Sequence, residues 1–219
     1  KLYNIINKFD TLLSMFGDLP LFDVSMVVQL SGERRQTVLM QLHRWSGLRK
    51  LTRLRRGVYC FSNPYRRIAP NPLVVANELY KPSYLTGIWA LSYYGLIPEK
   101  AVIFTSAVTR VPRSFDNSLG TFQYFHLKRE YFFGFSSRAI GAEEIWLAEP
   151  EKALIDFWYL NAGRWTVERM AEMRFQGFDQ VDQERLRSYA STFNAPRLEI
   201  AVRNWTQLSK NETEGVQLL

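Results

Sequence analysis

The stretch from Ser31 to Phe61, SGERRQTVLMQLHRWSGLRKLTRLRRGVYCF, decides how this chain is read, because periodicity and charge there point to one chemistry. From Glu33 to Trp45 the apolar residues Val38, Leu42 and Trp45 recur at helical spacing, leaving Gln36, Thr37, Met40, His43 and Arg44 on the opposite face. That pattern predicts a recognition helix whose outer face is polar enough to meet water or a groove. Gly47 is placed to stop the helix. Two runs rich in strand formers, Leu51 to Arg55 and Val58 to Phe61, then flank Arg56-Gly57, a pair suited to a tight turn, so a basic hairpin, or wing, is expected.

Upstream, Asp23 is positioned to cap a helix running to Leu30, and Ser31-Gly32 supplies the short turn of a helix-turn-helix. Before that, Leu2, Ile5, Ile6, Phe9, Leu12, Leu13 and Phe16 form one apolar stripe, the signature of a covering helix. Charge agrees with this reading. Residues 1 to 70 hold 12 Lys/Arg against 4 Asp/Glu, whereas residues 71 to 219 hold 16 against 17, so the whole net charge of +7 originates in the first third. Between Arg44 and Arg67 stand eight basic residues and no acidic one, the footprint of a phosphate-backbone binder.

The 219 residues, 47% hydrophobic and 15% aromatic, suffice for one large or two small folded domains. No apolar run reaches the roughly 18 to 20 residues that span a bilayer, and the N-terminus reads as an amphipathic helix rather than a signal peptide, so the expected compartment is the cytoplasm. The chain opens without Met, which points to a few missing starting residues. The single cysteine, Cys60, excludes a disulfide framework within one chain.

Ser62 to Asn71, SNPYRRIAPN, lacks periodicity and marks a boundary between a domain at 1–65 and a second at 71–219. The second opens with Asn71-Pro72, a helix start signal, and Leu73, Ala76 and Tyr80 form its expected apolar face. A largely buried helix is predicted over Tyr84 to Tyr94, closed by Gly95. Strands follow at Val102 to Val108, Thr121 to Leu127, Tyr131 to Phe135 and Glu144 to Ala148, a small, mainly antiparallel sheet. Helices are predicted from Pro150 to about Leu160, Thr166 to about Arg174, Asp182 to Phe193 and Pro196 to Leu208, with a frayed tail of about ten residues. The fold class is α+β: a winged helix-turn-helix, then a mixed α/β domain ending in helices.

Four ordered blocks carry a family resemblance: RRGVY (Arg55 to Tyr59), NPLVVANELYKPSYLTGIWALSYYGLIPE (Asn71 to Glu99), GTFQYFHL (Gly120 to Leu127) and AEPEKALIDFWYL (Ala148 to Leu160). With the winged helix they make the chain, from roughly Phe22 to Leu160, resemble the AbiEi antitoxins of abortive-infection toxin–antitoxin systems. The resemblance implies a bifunctional protein. Its winged helix would bind inverted repeats of double-stranded operator DNA and repress its own operon, with two copies on the palindrome. Its second domain would counteract a co-encoded nucleotidyltransferase toxin without a stable complex, a type IV arrangement. By position, Arg34, Arg35, Gln36 and Arg44 fall on the recognition helix, and Arg53, Arg55 and Arg56 on the wing. The hydrophobic Met40 on the groove-facing side and the acidic Glu33 depart from the family pattern.

The residues themselves support DNA contact by Arg34, Arg35, Gln36, Thr37, Arg44, Lys50, Arg53, Arg55 and Arg56. Arg pairs with guanine and Gln with adenine from a helix N-terminus, while Lys50 and the wing arginines grip phosphates or the minor groove. A basic segment at Thr105 to Arg113, with Lys128, Arg129 and Arg138, is a second candidate surface, and more than half of its neighbouring aromatics (Phe122, Tyr124, Phe125, Tyr131, Phe132, Phe133, Phe135) are expected in the core. His43 and His126 lack further ligands for a metal site, and Cys60 reads as a buried structural thiol. The acidic residues Glu143, Glu144, Glu149, Glu151 and Asp156 leave an enzymatic alternative, a nuclease or a reversal of toxin modification. Lys152 and Asp156, four apart, equally fit a surface ion pair. With no P-loop, dinucleotide glycine pattern, kinase signature or nucleophile elbow, a non-catalytic protein without cofactor or metal is expected.

Overall fold

The computed structural model describes residues 8–216, with side chains described as far as Asn211. Leu2, Ile5 and Ile6 of the first apolar stripe lie outside the described residues. The fold is α+β, with helices, a three-stranded antiparallel sheet and a six-stranded mixed sheet. Contacts divide the chain into Lys1–Leu79 with Phe115–Thr121, and Tyr80–Ser114 with Phe122–Leu219.

In the first unit α1 (Phe9–Phe16) turns Phe9, Leu12 and Phe16 inward. Strand β1 (Phe22–Asp23) leads into α2 (Val24–Ser31), whose cap is Asp23: its carboxylate accepts from the Ser25 and Met26 amides at 2.7 and 2.9 Å. Gly32 ends α2 in the left-handed region, φ 68°, where a β-carbon is disfavoured. Then α3 (Arg35–Gly47) buries Val38, Leu42 and Trp45. Gly47 remains the last helical residue, and the left-handed turn falls on Arg49 (φ 57°), with the Lys50 amide donating to Trp45 O at 2.9 Å. The hairpin is β2 (Leu51–Arg55) and β3 (Val58–Phe61), with Gly57 at φ 81° in its turn.

The sheet order β1-β3-β2 shows a strand that periodicity missed, because two residues carry no alternation. Phe22 pairs with Tyr59 and Asp23 with Val58, and the Val24 amide donates to Gly57 O at 3.0 Å, tying the start of α2 to the hairpin turn. Phe9 centres the core, edge-on to Trp45, Phe61 and Tyr65 at 5.6, 5.9 and 4.8 Å. Helix α4 (Pro72–Leu79), expected to open the second domain, groups with this first unit. Its buried apolar residues are Val75, Ala76 and Leu79, while Leu73 is only half-buried. An unbroken apolar run admits more than one inward face, and the surroundings choose.

In the second unit the helix expected over Tyr84 to Tyr94 is divided. Ser83–Leu85 form strand β4, and α5 (Gly87–Tyr93) follows. The rest of the six-stranded sheet comprises β5 (Ile103–Val108), β6 (Arg113–Asn117), β7 (Gly120–His126), β8 (Phe135–Ile140) and β9 (Glu143–Ala148), in the order β6-β7-β5-β4-β9-β8, its stretch Phe115–Thr121 grouping with the first unit. β4 runs antiparallel to β5 and parallel to β9. The expected strand at Tyr131 to Phe135 is replaced by a 3-10 helix, Arg129–Tyr131, and a loop. There Tyr131 stacks on Phe193 at 4.2 Å and Phe133 meets Tyr189 edge-on at 5.1 Å, so long-range ring contacts outweigh local strand propensity.

Helix α6 (Pro150–Leu160) is buried on every side from Glu151 to Trp158. α7 (Val167–Glu172), α8 (Gln183–Thr192) and α9 (Pro196–Val216) complete the unit, with Thr166 and Asp182 capping α7 and α8 through their side chains. α9 continues beyond the expected end at Leu208.

Candidate nucleic-acid interface

The exposed face of α3 and the β2–β3 hairpin carry most of the sequence-predicted contact residues, with Arg34, expected on the helix, standing instead at its N-cap in extended conformation. Arg34, Arg35, Gln36, Arg44, Arg53 and Arg56 are exposed, Thr37 is half-buried, and Arg49, outside the predicted set though within the basic stripe, is exposed beside them. Arg35 donates weakly to Ser25 Oγ at 3.4 Å. No side-chain hydrogen bond, ion pair or ring contact engages Arg34, Arg44, Arg49, Arg53 or Arg56 among the described residues. Guanidiniums without internal acceptors keep their donor forks for an external anion.

Two predicted residues are held differently. Arg55 is half-buried; its Nε donates to Leu79 O and its Nη1 to Arg56 O at 3.0 Å, so it braces α4 against the wing strand. Lys50 is also half-buried, with Nζ 4.5 Å from the Phe9 ring centroid and 5.6 Å from that of Tyr65. Of the rest of the stripe, Arg66 donates to Phe61 O at 2.9 Å and Arg67 pairs with Asp18 at 3.2 Å. Sequence spacing shows where cations cluster but not which ones the fold engages. Cys60 is 1% exposed, and burial pushes its thiol pKa up, which makes it a poor nucleophile.

In the second unit the acidic residues separate into distinct environments. Lys152 and Asp156, expected as a surface pair, are fully buried and bonded to each other. The other Asp156 oxygen accepts from Tyr84 OH and Thr86 Oγ1, both at 2.8 Å, and the Lys152 ammonium lies 5.0 to 5.5 Å from the rings of Phe193, Phe133 and Tyr84. Burial lowers the Lys152 pKa against the opposing pull of Asp156, and the same burial, with Asp156 adjacent, raises that of Tyr84 well above its usual value. Glu151, 2% exposed, accepts from the Asp182 amide at 2.7 Å and faces Arg185 at 3.8 Å, while Glu149 accepts from Tyr189 OH at 2.6 Å. Glu144 is exposed and accepts from Ser137 Oγ at 2.9 Å. Among the described residues no group of three or more His, Cys, Asp and Glu is arranged to hold a metal.

The second basic surface disperses. Thr105 and Ser106 are buried in β5, Arg110 lies over the Tyr80 ring at 5.0 Å, and Lys128 pairs with Glu130 at 3.7 Å. Of the seven aromatics, Phe122, Tyr124 and Tyr131 are buried and the other four half-buried, so fewer than the expected majority lie in the core. A groove of about 480 Å³ between α8 and α9 brings together Arg187 of α8 with Arg203 and Lys210 of α9, cations that were not singled out by sequence. Among the described residues no helix is long and apolar enough to cross a membrane. No protein-family model matches this chain, and no curated protein does either.

Proposed function

We propose that this chain is a cytoplasmic, non-catalytic antitoxin that represses its own operon by binding inverted repeats of double-stranded DNA, with copies paired on the operator, and counteracts a co-encoded nucleotidyltransferase toxin without a stable complex. The observation that carries the DNA half is the set of exposed arginines without side-chain partners among the described residues: Arg34 at the N-cap of α3, Arg44 on that helix, Arg49 in the turn after it, and Arg53 and Arg56 on the adjoining hairpin. The antitoxin half rests on the resemblance of the four ordered blocks to the AbiEi family. The burial and internal bonding of Asp156 and Glu151 favour a structural over a catalytic role for those carboxylates.

A salt titration on the chain's own upstream DNA and on a scrambled duplex, read by fluorescence anisotropy, tests the DNA half. Five phosphate contacts give a log–log slope of about −4.5, or about a 500-fold loss between 50 and 200 mM salt. Steep binding that prefers the native duplex is expected. Equal, weak binding to both duplexes refutes the repressor reading. Co-expression with the toxin tests the other half: growth should be protected without the two proteins co-purifying.

A further inference from the structure

Val38, Leu42 and Trp45 define the inward side of α3. At about 100° per residue, the residue opposite them is Met40, and Gln36, His43, Arg44 and Gly47 all lie within about 60° of it. Met40 is 59% exposed and takes no part in the core of the first unit. An apolar side chain therefore stands at the centre of a stripe whose other side chains are polar or charged.

The major groove offers hydrogen-bonding groups on every base pair and one apolar feature, the 5-methyl group of thymine. Gln36 and the arginines are suited to the former, and a flexible, polarisable thioether to the latter. Resting on the DNA-binding reading above, we propose that Met40 packs against a thymine methyl and makes one T·A pair in each half-site a determinant of specificity. Gln36 precedes Met40 by four residues, about 6 Å along the helix, so in a helix lying along the groove that thymine falls within about two base-pair steps of the base met by Gln36.

The test begins with a duplex selected by the wild-type full chain from a random-sequence pool. Each thymine is then replaced in turn by uracil, which deletes only the methyl group. Wild-type protein is expected to lose about fourfold in Kd at one thymine per half-site and no more than about twofold elsewhere. Met40→Gln, a change at an exposed position whose fold is checked by circular dichroism, is expected to bind the thymine and uracil duplexes equally at that site; Met40→Ala provides a second variant. A selected duplex whose uracil scan is flat, or a uracil effect that both variants retain, overturns the proposal while leaving DNA recognition intact. A pool that yields no preferred duplex overturns both.

Discussion

Asp156→Ala is the most informative single change in the second unit. It removes the carboxylate that bonds Lys152, Tyr84 and Thr86 and leaves a fully buried ammonium without a counter-charge. Two routes give the magnitude. Breaking a buried ion pair by removing one partner costs about 3–5 kcal/mol. Alternatively, Lys152 sheds its proton: moving a lysine from about 10.4 to neutrality at pH 7 costs about 4.6 kcal/mol, which caps the charge penalty. The estimates agree, and either is a large share of the about 5–15 kcal/mol that holds a domain together.

Urea unfolding followed by the fluorescence of Trp158, Trp165 and Trp205, all buried in the same unit, measures the loss. The pH dependence carries a second signature. With Asp156 gone, the main influence raising the Lys152 pKa disappears and burial alone acts on it. The unfolded chain then binds one more proton than the native one, so the stability of the variant should rise with pH, by up to about 1.4 kcal/mol per unit, until the unfolded lysine titrates near 10.4. Adding Lys152→Met removes the charge and should recover most of its penalty. A loss below about 1 kcal/mol, or a double variant no more stable than Asp156→Ala, would refute the reasoning.

Reversing charge at Arg53 and Arg56 together should weaken binding to every duplex and flatten the salt slope by about 2, measured by the same anisotropy titration. Gln36→Ala should change which duplex is selected while leaving the salt slope within error; unchanged selection removes it from the reading set. Lys50→Met should act mainly on stability, by about 0.5–1 kcal/mol through lost contact with Phe9 and Tyr65, and a larger effect on DNA affinity than on unfolding would return Lys50 to the interface. Burial raises the Tyr94 pKa to about 12, so above pH 10 the unfolded chain releases a proton that the native one keeps. Stability should fall as pH rises from 10 towards 12, and Tyr94→Phe should reduce that slope in alkaline urea titrations.

The first unit was the more legible in sequence because its signals are local. Asp23 caps α2 through amides two and three residues away, Val38, Leu42 and Trp45 share a face by helical geometry alone, and the Arg56-Gly57 turn joins adjacent strands. β4 was illegible for the opposite reason. Ser83, Tyr84 and Leu85 are all buried between β5 and β9, and a strand covered on both faces shows no alternation to separate it from a buried helix. β8 is hard to read because its polar run is held by pairing with β9 and not by propensity.

Local chain geometry thus determined α3, the turn before it, the β2–β3 hairpin and the concentration of positive charge in the first third. Tertiary structure alone decided which of those charges are available. Among the described residues Arg53 and Arg56 have no side-chain partner, whereas Arg55, between them in sequence, is held by a carbonyl 24 residues away. It likewise turned the Lys152–Asp156 spacing from a surface pair into a buried one. Helical period and capping depend on neighbours within a few residues and are written along the chain, while burial and hydrogen-bond partners depend on what distant segments bring alongside.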